Sequence, residues 1–119
     1  MKGLSVRQPW ASLIADGHKT IEWRSRRTSH RGEVVICSGK TPDDIYFEFD
    51  ADEAIDKWPL GVAVATVTIA DCRELTGKDL EPAFLPDDFD VCGFAWVLSG
   101  MQKIEHPYPV TGKQGLFDL

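Results

Sequence analysis

Residues 61–70, Gly-Val-Ala-Val-Ala-Thr-Val-Thr-Ile-Ala, constrain the fold of this chain more than any other stretch. Val62, Val64, Thr66 and Thr68 alternate with Ala63, Ala65, Val67 and Ile69, so both faces of an extended segment carry apolar or β-branched side chains. Such a segment is stable only when both faces are covered, which predicts a central strand.

Shorter runs supply its neighbours. Lys2 to Gln8 alternates, with Leu4 and Val6 on one face and Ser5 and Arg7 on the other. Val34 to Cys37 and Gly93 to Leu98 read as buried strands, and Gln102 to Tyr108 reads as a further strand after a Ser99-Gly100 turn. Pro107 and Pro109 confine the Tyr108 region to an edge or a non-sheet segment. Pro9 stops the first ladder, and Trp10, Leu13 and Ile14 recur at a helical interval, predicting a helix over 9–16 with Gly17 as its C-terminal cap.

The remaining segments are less regular. Residues 43–58 interleave carboxylates with aromatics and predict a helical or irregular excursion, its helical half Asp52 to Trp58 ended by Pro59. Asp71 to Leu75 leads out of the central strand, and Thr76 to Asp90 reads as a loop with an acidic tip. About five strands and one short helix predict a single α+β domain over 1–119, its sheet curled, mostly antiparallel or closed into a small barrel.

Charge narrows the function classes. The chain carries a net charge of −6, yet residues 1–40 hold eight Lys or Arg against three Asp or Glu, and residues 41–119 hold five against sixteen. An acidic chain is a poor binder of long duplex DNA, because that affinity comes from neutralising many phosphates. A local basic cleft can still take one anionic ligand or a short strand. Cys37, Cys72 and Cys92 are odd in number and widely spaced, so neither a disulfide framework nor a metal site is expected, and no cofactor is called for. No apolar run approaches the roughly 20 residues of a membrane helix, and no signal-peptide core is present, so no membrane association and a cytoplasmic location are expected.

The chemistry-bearing stretch is Gly17-His18-Lys19-Thr20-Ile21-Glu22-Trp23-Arg24. In a regular strand Glu22 and Arg24 share a face and Lys19 takes the other, so a Lys19–Glu22 pair requires Lys19 in the turn before the strand. Taken singly, these residues read as an exposed ion pair and core tryptophans. Taken together, a lysine, a carboxylate and a guanidinium at one pocket make a site for anions or for proton transfer.

The opening Leu4-Ser5-Val6-Arg7-Gln8-Pro9-Trp10-Ala11, the motif Gly17-x-Lys19-x-x-Glu22-x-Arg24 and the closing Gly112-Lys113-Gln114-Gly115-Leu116-Phe117 resemble the ASCH domain family over essentially the whole chain. The resemblance implies a PUA-like β-barrel with a short N-terminal helix beside a cleft lined by the signature residues. It also implies binding of RNA or a modified nucleotide, or a regulatory interaction role without catalysis. One branch of the family hydrolyses N4-acetylcytidine with a catalytic lysine, which this chain keeps as Lys19; the branch has threonine where Glu22 stands, and Glu74 is the nearest candidate for its later glutamate.

Two readings follow. In a binding module Arg7, Lys19, Arg24 and Arg26 hold phosphates, Glu22 recognises a base amino group and Trp10 or Trp23 offers a stacking surface. In an amidohydrolase, like charge and desolvation make Lys19 a neutral base or nucleophile, with Glu22 relaying a proton.

Overall fold

The fold was analysed in a computed structural model, which describes residues 1–48 and 57–119. Six strands form one sheet: β1 (Lys2–Val6), β2 (Ile21–Arg24), β3 (Gly32–Ser38), β4 (Val62–Glu74), β5 (Phe94–Pro109) and β6 (Leu116–Asp118). Their order is β2-β5-β4-β3-β1-β6, and β1 with β3 is the parallel pair while the other neighbours run antiparallel. The sheet curls into a half-barrel with β2 and β6 at its two edges. The short helix α1 (Trp10–Ala15) packs on β3, β4 and β5.

The doubly apolar run lies where its pattern requires. β4 pairs with β3 on one side and β5 on the other, and Ala63, Ala65, Val67 and Ile69 are fully buried. Leu4, Val34, Ile36 and Leu98 join it beneath α1, where Ile14 and Ala11 close the main core. At roughly 25 cal/mol per Å² of buried apolar surface, burial of this kind is the main favourable term of the fold.

Three strand readings are corrected. β4 does not end near Ala70 but continues to Glu74, since Asp71 to Glu74 pair with Val97 to Phe94. The Ser99-Gly100 pair makes no turn: β5 runs unbroken through it, and the ladder to β4 shifts register between Thr66 and Thr68, with Gly100 at φ +60°. A serine–glycine pair serves a bulge as well as a turn, because both need an unusual φ and no bulky Cβ. The first strand ends at Val6, two residues before Gln8. Beyond Ala65–Lys103 the ladder loosens, and the proline-bearing end of β5 has β4 as its neighbour on one side, an edge as expected. The expected Asp52 to Trp58 helix falls largely outside the described residues.

Helix α1 ends in a Schellman motif. Gly17 at φ +81° lets its N–H reach Ile14 O and the next N–H, of His18, reach Leu13 O, and the chain turns straight into Lys19. At the other end the Gln8 side chain, completely buried, accepts from Ser12 N and donates to Ser12 Oγ and Pro59 O.

The extension of β4 anchors the following loop. Arg73 binds buried Asp79 with two hydrogen bonds of 2.7 and 2.8 Å, and Thr76 adds its own N–H and hydroxyl. Chiefly because of Arg73, the Asp79 carboxyl falls from 3.8 to about 2. A carboxyl depressed in the folded state stabilises above its unfolded pKa and loses that contribution as pH falls through the folded one. The full shift would be worth about 2 kcal/mol, reduced to about 1–2 kcal/mol because the Arg73 side chain is 43% exposed. Urea midpoints of the wild type are therefore expected to fall between about pH 4 and about pH 2 by an increment that Asp79→Asn lacks.

Candidate functional site

β2 and β1 lie on opposite sides of the half-barrel's open seam, and the end of β2 is tied across it by one side chain. Arg24 Nη2 donates to Ser5 O of β1 at 2.6 Å, while Nε and Nη2 donate to Glu22 Oε2 at 3.0 and 2.8 Å. The guanidinium carbon sits 5.8 Å from the centre of the Trp96 ring. Arg24 is thus oriented on three sides, a geometry available to its planar fork and not to a lysine.

Glu22 and Arg24 alternate with Trp23 along β2, which places both on the seam side. Lys19 precedes the strand, so the pleat does not set its direction. Its Nζ lies 3.4 Å from Glu22 Oε1 and donates to Ile21 O at 2.7 Å and Ala83 O at 2.6 Å. An ammonium has three protons, and here three acceptors surround it. Glu22 is shared between Lys19 on one oxygen and Arg24 on the other. Burial lowers the Lys19 pKa against the raising pull of Glu22.

In front of this network lies an open cleft of about 1070 Å³. Its walls come from the end of β1, α1, β2 and the segment after it, the loop after β3, and the segment leading into β6. Arg7, Arg24, Arg26, Arg27, Lys40 and Lys113 line it against two acidic side chains, Glu22 and Asp43. Trp10 adds aromatic surface. Trp96, 5% exposed, lies beneath Arg24, and the Trp23 indole turns to the opposite face of β2, where it packs on Phe89 and donates to Cys92 O. Arg27 lies over the Phe94 ring at 4.7 Å, and the Trp96 indole N–H donates to Arg26 O, fixing the backbone of this basic segment.

Arg7, Trp10, Glu22, Arg24 and Arg26 therefore share one cleft. Lys19 does not line it; with 3% of its surface exposed it lies behind Glu22. Glu74 ends β4 opposite Phe94, away from the cleft. Sequence reasoning missed Lys40 and Lys113. Lys113 had a signal, since it lies in the closing Gly-Lys-Gln-Gly stretch, but only the fold brings that stretch against Ser5, whose hydroxyl donates to Lys113 O at 2.6 Å. Among the described residues no group of three or more His, Cys, Asp or Glu is placed to hold a metal ion, and no helix is long and apolar enough to cross a membrane.

A six-stranded half-barrel with a short helix beside its seam is the PUA-like architecture of ASCH proteins. The chain belongs to the ASCH domain family, whose family model matches residues 4–108. It is 29% identical to activating signal cointegrator 1 of Mus musculus over 98% of its own length, and equally so to that of Homo sapiens. The chain spans only 22% of the length of those relatives. The crystal structure of ASCH from Zymomonas mobilis superposes with a TM-score of 0.69 at 16% identity, covering 99% of this chain and 86% of that one. At that identity the likeness concerns the fold.

Proposed function

We propose that the seam cleft binds a short single-stranded RNA segment, with Arg7, Arg24 and Arg26 on phosphates and Trp10 as a stacking surface. The carrying observation is the concentration of six cationic side chains against two acidic ones in one cleft of a chain whose net charge is −6. Electrostatic focusing of this kind draws a polyanion to the cleft while the acidic remainder repels it elsewhere. The cleft is open along the seam, which favours an extended strand over a single enclosed nucleotide. Trp10 beside these arginines matches what an unpaired base and its phosphates need.

In this reading Glu22 and Lys19 are positioning residues. Glu22 holds the Arg24 fork, and Lys19 holds Glu22. The hydrolytic alternative requires the Lys19 amine at the reacting atom, and its burial behind Glu22, with three acceptors on Nζ, favours the positioning role instead. Fluorescence anisotropy at low salt is expected to show saturable binding of a labelled single strand of about eight nucleotides and much weaker binding of a duplex of equal length. Equal affinity for both, or none for either, would refute the reading. Incubation with N4-acetylcytidine is expected to leave it intact by mass spectrometry, and its deacylation would return Lys19 to a catalytic role.

A further inference from the structure

Phe84 stands in a conformation that glycine adopts far more readily. The turn before it closes as a Schellman motif, with Leu85 N donating to Leu80 O and Phe84 N to Glu81 O. That motif requires a left-handed residue, for which glycine is the usual choice. Phenylalanine stands there at φ +58°, the one non-glycine residue with positive φ among the described residues. A bulky side chain in that region is strained.

Burial does not offset the strain. The neighbours Ala83 and Leu85 pack inward with Ile21, Leu75 and Ala95, whereas Phe84 points out and is 41% exposed. Its ring meets Trp10, centroid to centroid at 6.1 Å with the planes tilted by 57°. Trp10 in turn lines the cleft. The backbone just before Phe84 is pinned, since Ala83 O accepts from Lys19 and Pro82 O accepts from Thr20 N. Strain kept in place by such anchoring, with an aromatic ring held toward solvent beside a binding cleft, is the pattern expected of a ligand contact.

We propose that Phe84, with Trp10, forms a stacking site at the rim of the cleft for one unpaired base of the RNA strand whose phosphates lie within it. The proposal rests on the RNA-binding reading and adds a base contact to it. The two rings are tilted and so do not stack flat on each other, Phe84 stays 41% exposed, and stacking is tolerant of base identity because every base has a π-face. Lys19 then serves both halves of the site: one Nζ holds Glu22 behind Arg24 and the carbonyl that precedes Phe84.

The test compares wild type with Phe84→Gly on two probes, an oligouridine of about eight nucleotides and an abasic ribose-phosphate strand of the same length. Glycine suits the left-handed turn, so the melting temperature is expected to hold or rise. Affinity for the oligouridine is expected to fall about tenfold, and affinity for the abasic strand to stay unchanged. Unchanged oligouridine affinity overturns the stacking site and leaves the phosphate cleft standing. A lowered melting temperature with equal loss on both probes makes Phe84 a structural residue and overturns the proposal. If wild type binds neither probe, the cleft reading falls, and this one with it.

Discussion

Lys19→Met is expected to lower the stability of the fold by about 3 kcal/mol, against the ±0.5 kcal/mol usual for a surface lysine. The variant leaves two buried carbonyls, Ile21 O and Ala83 O, without their donor and removes one of the two cations on Glu22. Breaking a buried pair from one side costs about 3–5 kcal/mol, and the remaining Arg24 contact on Glu22 places this case at the lower end. For a domain of this size the melting temperature should drop by roughly 10 °C. The pH dependence has a definite sign. Burial lowers the Lys19 pKa from 10.5 in the folded state, so below 10.5 the unfolded chain binds more protons and wild-type stability rises with pH through that window. The stability gap to Lys19→Met should therefore widen toward pH 10.5, as chemical denaturation across alkaline pH would record. A variant as stable as wild type would mean that Lys19 is not a structural tie, and the positioning role would fall.

The second large effect concerns the cleft and should spare the fold. Arg7 and Lys113 are exposed on the β1 side of the cleft and Arg26 on the β2 side. The triple substitution Arg7→Ala, Arg26→Ala and Lys113→Ala is expected to leave the melting temperature nearly unchanged. Its affinity for a single strand should fall on the order of 100-fold at low salt, at about fivefold per lost phosphate contact. The salt dependence is the sharper readout. Each phosphate neutralised on a single strand contributes about −0.7 to the slope of log K against log salt, so the variant's slope should be shallower by about 2 between roughly 50 and 200 mM salt. An unchanged slope with weaker binding would show that these side chains do not meet phosphates.

The legible parts of the fold were those set by periodicity. The alternation of Val62 to Ile69 placed β4 at the sheet centre, and Gly17 ended α1 because only a left-handed residue lets the chain turn there. The long continuation of β5 was not legible, since its Ser99-Gly100 bulge carries the residues of a turn and only pairing with β4 distinguishes the two. Pairing of β1 with β3 in parallel depends on contacts between residues about 30 apart, which leave no local mark.

The site was legible to the same degree. The Glu22–Arg24 contact follows from the pleat of β2, and Arg7, Trp10 and Arg26 do share its cleft. The depth of Lys19 was hidden, because what buries it is Ala83 of a loop held by Arg73 and Asp79, more than fifty residues away in sequence. Lys40 was hidden for the same reason, an ordinary loop lysine until the fold brings its loop to the cleft, and Lys113, though within the closing motif, is placed there only by the packing of that segment on β1.

The chain contains four tryptophans: Trp10 lines the cleft and Trp96 lies in it beneath Arg24, the Trp23 indole faces the other side of β2, and Trp58 packs with Tyr46 and Leu60 elsewhere. Their indole N–H resonances make the most direct test of the central claim. Titration of the isotopically labelled protein with a single-stranded RNA of about eight nucleotides is expected to move the resonances of Trp10 and Trp96 together, saturating at one affinity, and to leave Trp58 in place. Movement of Trp58 alone, or no movement of any indole at RNA concentrations that saturate binding, would contradict a strand in the seam cleft.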